Sequence, residues 1–156
     1  MRREESTHNA IHRLLCGQQL GVLSTAGAKG PYASLVAYAI SDDDRRLFFV
    51  TPRATRKFAN ITTDARVALL VNNSINQPED FHQAAAVTAV GRAAVIHPPE
   101  LDSVRDRYLA KHPYLEQFAL SPGCEFLAIW VERYILVERF QKVTEYRIKN
   151  DLDSTP

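Results

Sequence analysis

The sequence predicts a mainly β protein with α decoration, a closed antiparallel β barrel with peripheral helices, and three observations predict it. About six or seven apolar runs are separated by polar turns, the pattern of strands joined by hairpins. The runs at 84–96 and 124–140 are long and apolar, and a barrel removes the exposed edges that they would present in an open sheet. The 156 residues suffice for one domain, expected over 1–148, followed by a flexible tail at 149–156.

The first half of the chain is expected to contain one helix and three strands. Apolar residues recur at helical spacing over 7–16, which predicts a helix. The segments GVLST and YASLVAYAI are typical of a hairpin, because Gly27 and Gly30 in their connection suit a tight turn. The polar turn SDDDRR leads into a third strand. The predicted strands cover 21–25, 32–40 and 47–51.

The second half is expected to alternate helices with long strands. A helix over 52–61 is predicted to begin with Thr51 as N-cap and Pro52 at its first position. Gly91 inside a long strand indicates a bulge or a close backbone approach. The other predicted elements are strand 64–71, polar loop 72–82, strand 84–96, a helix that starts at Pro98 and Pro99, a short turn at 114–120, and strands 124–140 and 142–148.

The strand predicted at 124–140 carries apolar side chains on both faces. A barrel interior covers only one face of a strand, because successive side chains alternate. The other face needs a second cover, and a second copy of the chain in a homodimer is the expected one. The predicted faces are Leu127, Ile129, Val131 and Ile135 on one side, and Phe126, Ala128, Trp130 and Tyr134 on the other.

The composition excludes several classes of partner. A net charge of +1 and a pI near 7.8 give no global field that attracts nucleic acid or a membrane surface. No apolar run approaches the roughly 20 residues that span a bilayer. The start MRREESTHNA leads into no apolar signal core, so a cytoplasmic protein is expected.

Several patterns that could carry chemistry have simpler explanations. His8 and His12 have a metal-ligand spacing on a helix, but no third ligand is evident, so surface histidines and no metal site are expected. The acidic run at 42–44 is expected to be a solvated turn. Cys16 and Cys124 match no metal or redox spacing, which predicts free thiols. No nucleophile elbow or nucleotide-binding loop is present, and the catalytic residues stay unassigned.

The stretch FFVTPRATRKFANI contains the strongest functional signal. Arg53, Arg56 and Lys57 fall in the first two turns of the predicted helix, where the helix dipole disfavours each cation by about 0.3–1 kcal/mol. An anion held by free N–H groups, the hydroxyls of Thr51 and Thr55, and these cations would remove the conflict. A solvated basic turn is the alternative, and this stretch alone does not separate the two.

The strand before this basic segment has side chains small enough to admit a flat ring. Ala33, Ser34 and Ala37 would let a planar heterocycle approach the backbone N–H and C=O groups closely. A barrel strand of this kind, beside a basic corner that holds a phosphate, suits flavin mononucleotide (FMN). FMN is therefore the predicted cofactor.

Five segments follow one another over about residues 19–96: YASLVAYA, the acidic turn SDDD, LFFVT, PRATRK and DARVALLV. In this order and spacing they resemble the pyridoxamine 5′-phosphate oxidase-like family of FMN-binding split β barrels. The resemblance implies a split antiparallel barrel and a homodimer with two flavins at its interface. The implied cofactor-binding residues are Ser34, Leu35 and Val36 along the flavin, Val50 and Arg53 beside the basic motif, and Thr51, Thr55, Arg56 and Lys57 at the phosphate.

The sequence also departs from the pattern of the family's oxidases. They carry a glutamine early in the strand that leads to the glycine matched by Gly91, whereas this chain has Ala86 at that register and Gln83 three residues earlier. In their C-terminal motifs, Leu127 replaces a tryptophan and Arg133 is the one arginine retained. Oxidation of pyridoxamine phosphate is therefore not expected, and Gln83 is a weak candidate for cofactor contact.

Trp130 and Arg133 are candidates for completing the flavin site from the long C-terminal strand. An aromatic ring could stack on the flavin, and a cation near the N1–C2 edge would stabilise the anionic reduced form. The alternative is that Trp130 belongs to the core and Arg133 is a surface charge, because large aromatic residues on barrel strands are usually buried.

These observations predict an FMN-binding flavoprotein, an oxidoreductase that acts on a small-molecule substrate with NADH or NADPH as the candidate reductant. Two alternatives stay open. A haem-binding, haem-degrading or deazaflavin-using relative would use the same barrel, with His82, His97 or His112 as an axial haem ligand. A module that binds FMN without turnover would need no reductant.

Overall fold

Seven antiparallel strands dominate residues 1–149, the part of the chain that the computed structural model describes. They pair in the order β3-β2-β1-β4-β5-β6-β7, and an additional β3–β6 pairing closes the first six into a barrel. The predicted split barrel is confirmed, while most of the expected tail, 150–156, lies outside the described residues. The strands are β1 (Leu20–Gly27), β2 (Gly30–Ile40), β3 (Arg46–Pro52), β4 (Arg66–Asn72), β5 (Ala85–Val95), β6 (Cys124–Glu138) and β7 (Lys142–Arg147).

Helices close both ends of the barrel. The helix α1 buries Ile11, Leu14 and Leu15 in the barrel core, and α2 packs on β1 at the other end. No helix in the described part of the chain is long and apolar enough to cross a membrane. The helices are α1 (Arg2–Gly17), α2 (Arg56–Thr63), α3 (Asp80–Gln83), α4 (Leu101–Lys111) and α5 (Glu116–Ala119), with a 3-10 turn at Pro113–Leu115.

Glycines allow two tight features of the barrel. Gly27 pairs with Gly30 in the β1–β2 hairpin, and Gly30 has a φ of +100°, which residues with a side chain rarely adopt. In β5, a Cβ on Gly91 would collide with the carbonyl oxygen of Trp130. The predicted hairpin and the close backbone approach at Gly91 are therefore both confirmed.

A bulge in β6 reverses which face of that strand points into the barrel. The register shifts opposite Gly91, where β6 contains Glu132 as an extra residue. Simple alternation therefore fails beyond this point. Tyr134, predicted to share a face with Phe126 and Trp130, instead lies in the barrel core with Leu127 and is fully buried, and Ile135 lies on the other face.

The outward face of β3 and of the first half of β6 packs against the chain's own helices. Phe48, Phe126 and Ala128 form a second core with Val104 and Tyr108 of α4. This packing gives the second face a cover without a partner chain, contrary to the expectation for this part of the strand. The sheet formed by β2, β1 and β4 has a different environment, because its outward residues include exposed leucines.

Candidate functional site

Helix α2 begins later than the sequence predicts. The strand β3 continues through Pro52, which pairs with Cys124 of β6, so the predicted N-cap Thr51 still belongs to the ladder. Thr55 is the N-cap instead, and its hydroxyl accepts a hydrogen bond from the N–H of Phe58 at 3.3 Å. The prediction was wrong because strand pairing, which depends on distant residues, overrides the local capping signal.

The two threonines of the motif nevertheless meet. Thr51 is fully buried, and its hydroxyl oxygen lies 2.9 Å from the hydroxyl oxygen of Thr55. The Thr55 hydroxyl also donates to the carbonyl of Pro52 at 3.0 Å. These contacts fix the corner between β3 and α2, and with it the direction of the N–H groups in the first turn of the helix.

The three cations of this motif have different environments. Arg53 forms an ion pair with Glu125 at 2.9 Å and donates to the carbonyl of Pro122 at 2.8 Å, so its guanidinium is engaged away from the helix start. Arg56 lies over the Tyr32 ring at 5.0 Å. Within residues 1–149, neither Arg56 nor Lys57 pairs with a carboxylate, and the first turn of α2 contains no acid. Two cations therefore remain for a ligand.

An unsatisfied hydroxyl lies on the neighbouring strand. Ser34 is on the barrel-facing side of β2, two positions from Tyr32, and its buried hydroxyl oxygen has no hydrogen-bond partner among the described residues. Buried polar groups are nearly always hydrogen-bonded, so an orphan hydroxyl indicates a missing partner. Ser34 lies on the same face of β2 as Tyr32, whose ring Arg56 covers, so the orphan hydroxyl is on the strand that contacts the start of α2.

Other predicted residues of β2 and β3 are distributed over both faces of the barrel wall. Val36 shares the inner face with Ser34, whereas Leu35 points outward and is 65% exposed. Val50 is buried against the α4 side. The side chains of Ser34, Leu35 and Val36 consequently do not share one surface, and only the backbone of this segment can follow a single flat ring.

Sequence reasoning missed the contact that anchors α2. The Asn60 side chain donates to the hydroxyl oxygen of Thr25 at 3.0 Å, and Thr25 is buried. A Cβ on Gly27 would collide with the Asn60 side chain, so this glycine serves the helix contact as well as the hairpin. No local signal identifies the pair, because 35 positions separate the partners.

The remaining predicted cofactor residues lie away from α2. Trp130 pairs with Arg46, at the opposite end of β3 from Thr51, which corresponds to about 17 Å along the strand. Arg133 lies beyond the bulge, opposite Val90. Trp130 is 54% exposed, with the Arg46 guanidinium 4.8 Å from its ring, so the alternative of a core tryptophan is wrong.

Gln83 is likewise distant from the helix start. It ends α3, beyond the Asn72 end of β4, whereas α2 lies near the Val67 end through its contact with Thr25. In one chain, therefore, the structure joins Thr51 to Thr55 at the start of α2, the helix that carries Arg56 and Lys57, and places Ser34 on the strand whose Tyr32 contacts Arg56. It does not bring Gln83, Trp130 or Arg133 to them.

A second polar cluster lies at the α1 end of the barrel. The Asp44 carboxylate is 4% exposed and lies 2.8 Å from His8 Nε2 and 2.7 Å from His12 Nδ1. The prediction of surface histidines holds, because the side chains of His8 and His12 are 34% and 47% exposed. The prediction of a solvated acidic turn is wrong for Asp44, which is buried, although Asp42 and Asp43 are exposed. Asp44 has a φ of 57°, which aspartate tolerates, and this conformation turns its side chain beneath α1.

The candidate haem ligands are unevenly available. His112 is 5% exposed, and its Nε2 lies 2.7 Å from the carbonyl of Tyr38, with burial lowering the pKa of its imidazole. It is already engaged in the fold. His82 and His97 are exposed. In residues 1–149, no three His, Cys, Asp or Glu side chains are arranged so that they could hold a metal ion.

The fold defines a class, a split β barrel with peripheral helices. A family model described as pyridoxamine 5′-phosphate oxidase matches residues 7–138. The chain belongs to this family, as the order of its motifs predicts. No curated protein matches its sequence.

Solved structures share the fold at low sequence identity, and at these identities the likeness shows the fold alone. A heme binding protein from Mycobacterium smegmatis has a TM-score of 0.76 at 18% identity, over 86% of this chain and 55% of its own. General Stress Protein 26 from Bacillus anthracis has a TM-score of 0.71 at 17% identity, over 95% of this chain and 100% of its own. A FAD-binding protein from Mesorhizobium loti has a TM-score of 0.67 at 16% identity, over 83% of this chain and 90% of its own. This chain thus spans little more than half of the mycobacterial protein.

Proposed function

We propose that this protein binds FMN, with the cofactor's phosphate at the start of α2. The observation that carries the proposal is the buried Ser34 hydroxyl, orphaned among the described residues, near a helix start with two carboxylate-free cations. A phosphate would accept hydrogen bonds from Ser34 and from the free N–H groups, beside Arg56 and Lys57. Membership of the family and the FAD-binding relative support a flavin as the carrier of that phosphate.

We infer further that a homodimer completes the site. Val22 of β1 pairs with Leu35 on one side and Leu70 on the other, so the three form one apolar row on the outward face of the sheet. Leu35 is 65% exposed and Leu70 is 38% exposed. A second copy of the chain, which presents the same row, is the partner that this self-complementary surface supports. Contributions from Gln83, Trp130 and Arg133 would have to come across that interface.

The proposed activity is electron transfer. A bound flavin would supply the redox chemistry through its ring, and the protein needs to hold and orient it. NADH or NADPH is the proposed reductant of this oxidoreductase. Leu127, at the position of the oxidases' tryptophan, is fully buried in the barrel core, where it cannot contact a substrate. Pyridoxamine phosphate is therefore not proposed as the substrate.

The test begins with the absorption spectrum of the purified protein, followed by titration with FMN and anaerobic addition of NADH or NADPH. Arg56→Ala combined with Lys57→Ala should weaken FMN binding by about 100-fold or more, because charge-assisted contacts contribute about 1.5–3 kcal/mol each. Arg2→Ala combined with Arg3→Ala is the matched control. It removes the same charge from the exposed start of α1 and should leave the affinity unchanged.

Each alternative has its own signature in this experiment. Equal FMN affinity in both double variants would contradict the phosphate site. A Soret band would identify haem, and loss of the band in a His82 or His97 variant would identify the axial ligand. Bound FMN that NADH and NADPH leave oxidised would favour a binding module without turnover by these reductants. A stable monomer in sedimentation, with FMN bound, would contradict the dimer inference.

A further inference from the structure

One face of α1 carries a relay of titratable groups that the proposed flavin site does not use. His12 and Cys16 are four residues apart on this helix. His12 Nδ1 lies 2.7 and 2.9 Å from the two carboxylate oxygens of Asp44, and His12 Nε2 lies 3.5 Å from Cys16 Sγ. When Nδ1–H donates to the carboxylate, Nε2 is left free to accept the thiol proton. The order carboxylate, imidazole and thiol is that of a base-activated nucleophile.

The thiol opens into a large cleft. Cys16 is exposed and lines a cavity of about 820 Å³ between the β2–β3 turn and α4. Apolar, acidic and basic side chains all line the cleft. Its lining includes Asp42, Asp43, Arg46, Phe48, Arg107 and Lys111.

The charges of the cleft suit a ligand that carries both carboxylate and ammonium groups. Arg107 pairs with Asp42 at 2.7 Å, whereas Asp43 accepts hydrogen bonds from Ser41. The Lys111 amine donates to the carbonyl of Leu15 at 3.3 Å and has no carboxylate partner among residues 1–149. An anionic group of the ligand would provide that partner, and an ammonium group would face the acids of the turn.

We propose that Cys16 performs thiol–disulfide exchange with a small disulfide that bears carboxylate and ammonium groups and binds in this cleft. The sulfur of Cys16 forms a bond to one sulfur of the disulfide as the disulfide's S–S bond breaks. His12 Nε2 takes the thiol proton, and the departing thiolate is protonated. Cys16 is oxidised to a mixed disulfide, while the small disulfide is reduced to one free thiol and one protein-bound half.

The electrostatics explain why the thiol needs His12. Burial, and then the negative charge of Asp44, raise the pKa of the Cys16 thiol, and Lys111 partly opposes this. The thiolate is the reacting form, so a thiol that stays protonated near neutral pH requires a base beside it. Exchange at sulfur needs a nucleophile, a base and a binding cleft, and this cluster contains all three.

The test uses the Cys124→Ser protein, which leaves Cys16 as its one thiol. The charged probe is glutathione disulfide, the neutral probe is 2-hydroxyethyl disulfide, and intact mass measures the rate of mixed-disulfide formation. His12→Gln should slow both reactions by about 100-fold near pH 7, the size of a general-base contribution. The difference should shrink at alkaline pH, where the thiol ionises without help. Lys111→Met should lower the ratio of the glutathione disulfide rate to the neutral rate.

His8→Gln is the matched structural control, because it removes the other imidazole bound to Asp44 and leaves the base of Cys16 in place. It should retain the wild-type exchange rate. Equal slowing by His8→Gln and His12→Gln would show that only the docking of α1 matters and would overturn the proposal. An unchanged rate in His12→Gln, or an unchanged rate ratio in Lys111→Met, would also overturn it. The thermal unfolding midpoint of each variant is measured as well, and exchange rates are compared at a temperature at which every variant is folded.

Discussion

The two ends of the barrel both carry charged and polar clusters, but they differ in how these groups are satisfied. At the α1 end, Asp44 is paired with both His8 and His12. At the α2 end, the described residues offer Arg56 and Lys57 no carboxylate and leave the buried Ser34 hydroxyl without a hydrogen bond. The described residues satisfy the cluster at the α1 end, whereas the cluster at the α2 end lacks partners among them. In the proposed function, the phosphate of a ligand supplies those partners.

Whether the polar groups of an end already have hydrogen-bond partners determines which function that end can perform. A satisfied cluster such as His12 and Asp44 holds its geometry before any ligand arrives, which suits a reactive group. An unsatisfied cluster lowers stability until an anion binds, so its groups contribute to affinity. Changes at the α1 end should therefore alter stability or reactivity, and changes at the α2 end should alter ligand affinity.

The largest expected effect on stability is that of Asp44→Ala. The substitution removes the carboxylate that His8 and His12 share. It also places alanine at a φ of 57°, which alanine tolerates less well than aspartate. Because His8 and His12 are partly exposed, the cost is that of two lost charge-assisted hydrogen bonds, about 3 kcal/mol in total, measured by urea unfolding. FMN affinity of the folded protein should stay the same, because the proposed phosphate site lies at the other end of the barrel.

Asp42→Ala is the control for this substitution. Asp42 lies in the same turn, but its side chain is 89% exposed where it pairs with Arg107, so its loss should cost about 0.5 kcal/mol. A loss of FMN affinity in Asp44→Ala as large as that in the Arg56 and Lys57 variant would contradict the independence of the two ends.

A smaller effect is expected from Gly27→Ala at the α2 end. The added Cβ would displace the Asn60 side chain and break its hydrogen bond to Thr25. We expect a cost of about 2 kcal/mol together with weaker FMN binding, because α2 must move. Gly123→Ala is the control, since open space surrounds Gly123 among the described residues and neither property should change.

The coupling between Gly27 and Asn60 can be measured directly. Asn60→Ala removes the colliding amide and should itself cost about 1 kcal/mol for the lost hydrogen bond. The double variant should then be destabilised by less than the sum of the single ones, because they share one contact. Strict additivity would show that Gly27 does not act through Asn60.

The two ends should also differ in the pH dependence of stability, because Lys111 donates to the carbonyl of Leu15 at the α1 end. Burial lowers the pKa of Lys111 from 10.5 to about 8. Between these values the unfolded chain binds the proton and the folded chain does not, so Lys111 makes stability rise with pH above about 8. Lys111→Met should abolish this rise.

The measurement is best made in the Cys16→Ser protein by urea unfolding between pH 7 and 10, because the raised pKa of the thiol acts in the opposite direction. Lys29→Met, in the exposed β1–β2 turn, is the control and should keep the pH dependence of the parent. A parent whose stability does not rise above about pH 8 would contradict the burial of the Lys111 charge.

The sequence predicted those features that depend on residues near one another in the chain. Gly27 and Gly30 indicate a hairpin, and Gly91 indicates a close approach, because each backbone feature excludes a side chain. The cations at α2 were recognisable because they oppose the helix dipole within a few residues. In the same way, motif order sufficed for the family.

Features that depend on distant residues could not be predicted in this way. The pairing of Asp44 with His12 spans 32 positions, so each residue by itself looked like an ordinary surface group. The bulge at Glu132 inverts the faces of β6 without a signal in the strand's own alternation. The N-cap moved from Thr51 to Thr55 because β3 and β6 pair beyond the point where the apolar run ends.

The smallest effect is expected from Arg53→Ala. This substitution tests whether a cation that is paired within the chain differs from the cations of α2 that have no carboxylate partner among the described residues. The sequence groups Arg53 with Arg56 and Lys57, whereas in the structure its guanidinium binds Glu125 and the carbonyl of Pro122. The pair is half exposed, so its loss should cost about 0.5 kcal/mol. FMN affinity should change by less than about threefold, far less than in Arg56→Ala, because only carboxylate-free cations are available to the phosphate. If Arg53→Ala weakens FMN binding as strongly as Arg56→Ala, then Arg53 must exchange Glu125 for the phosphate on binding, and internal pairing would no longer separate the two ends.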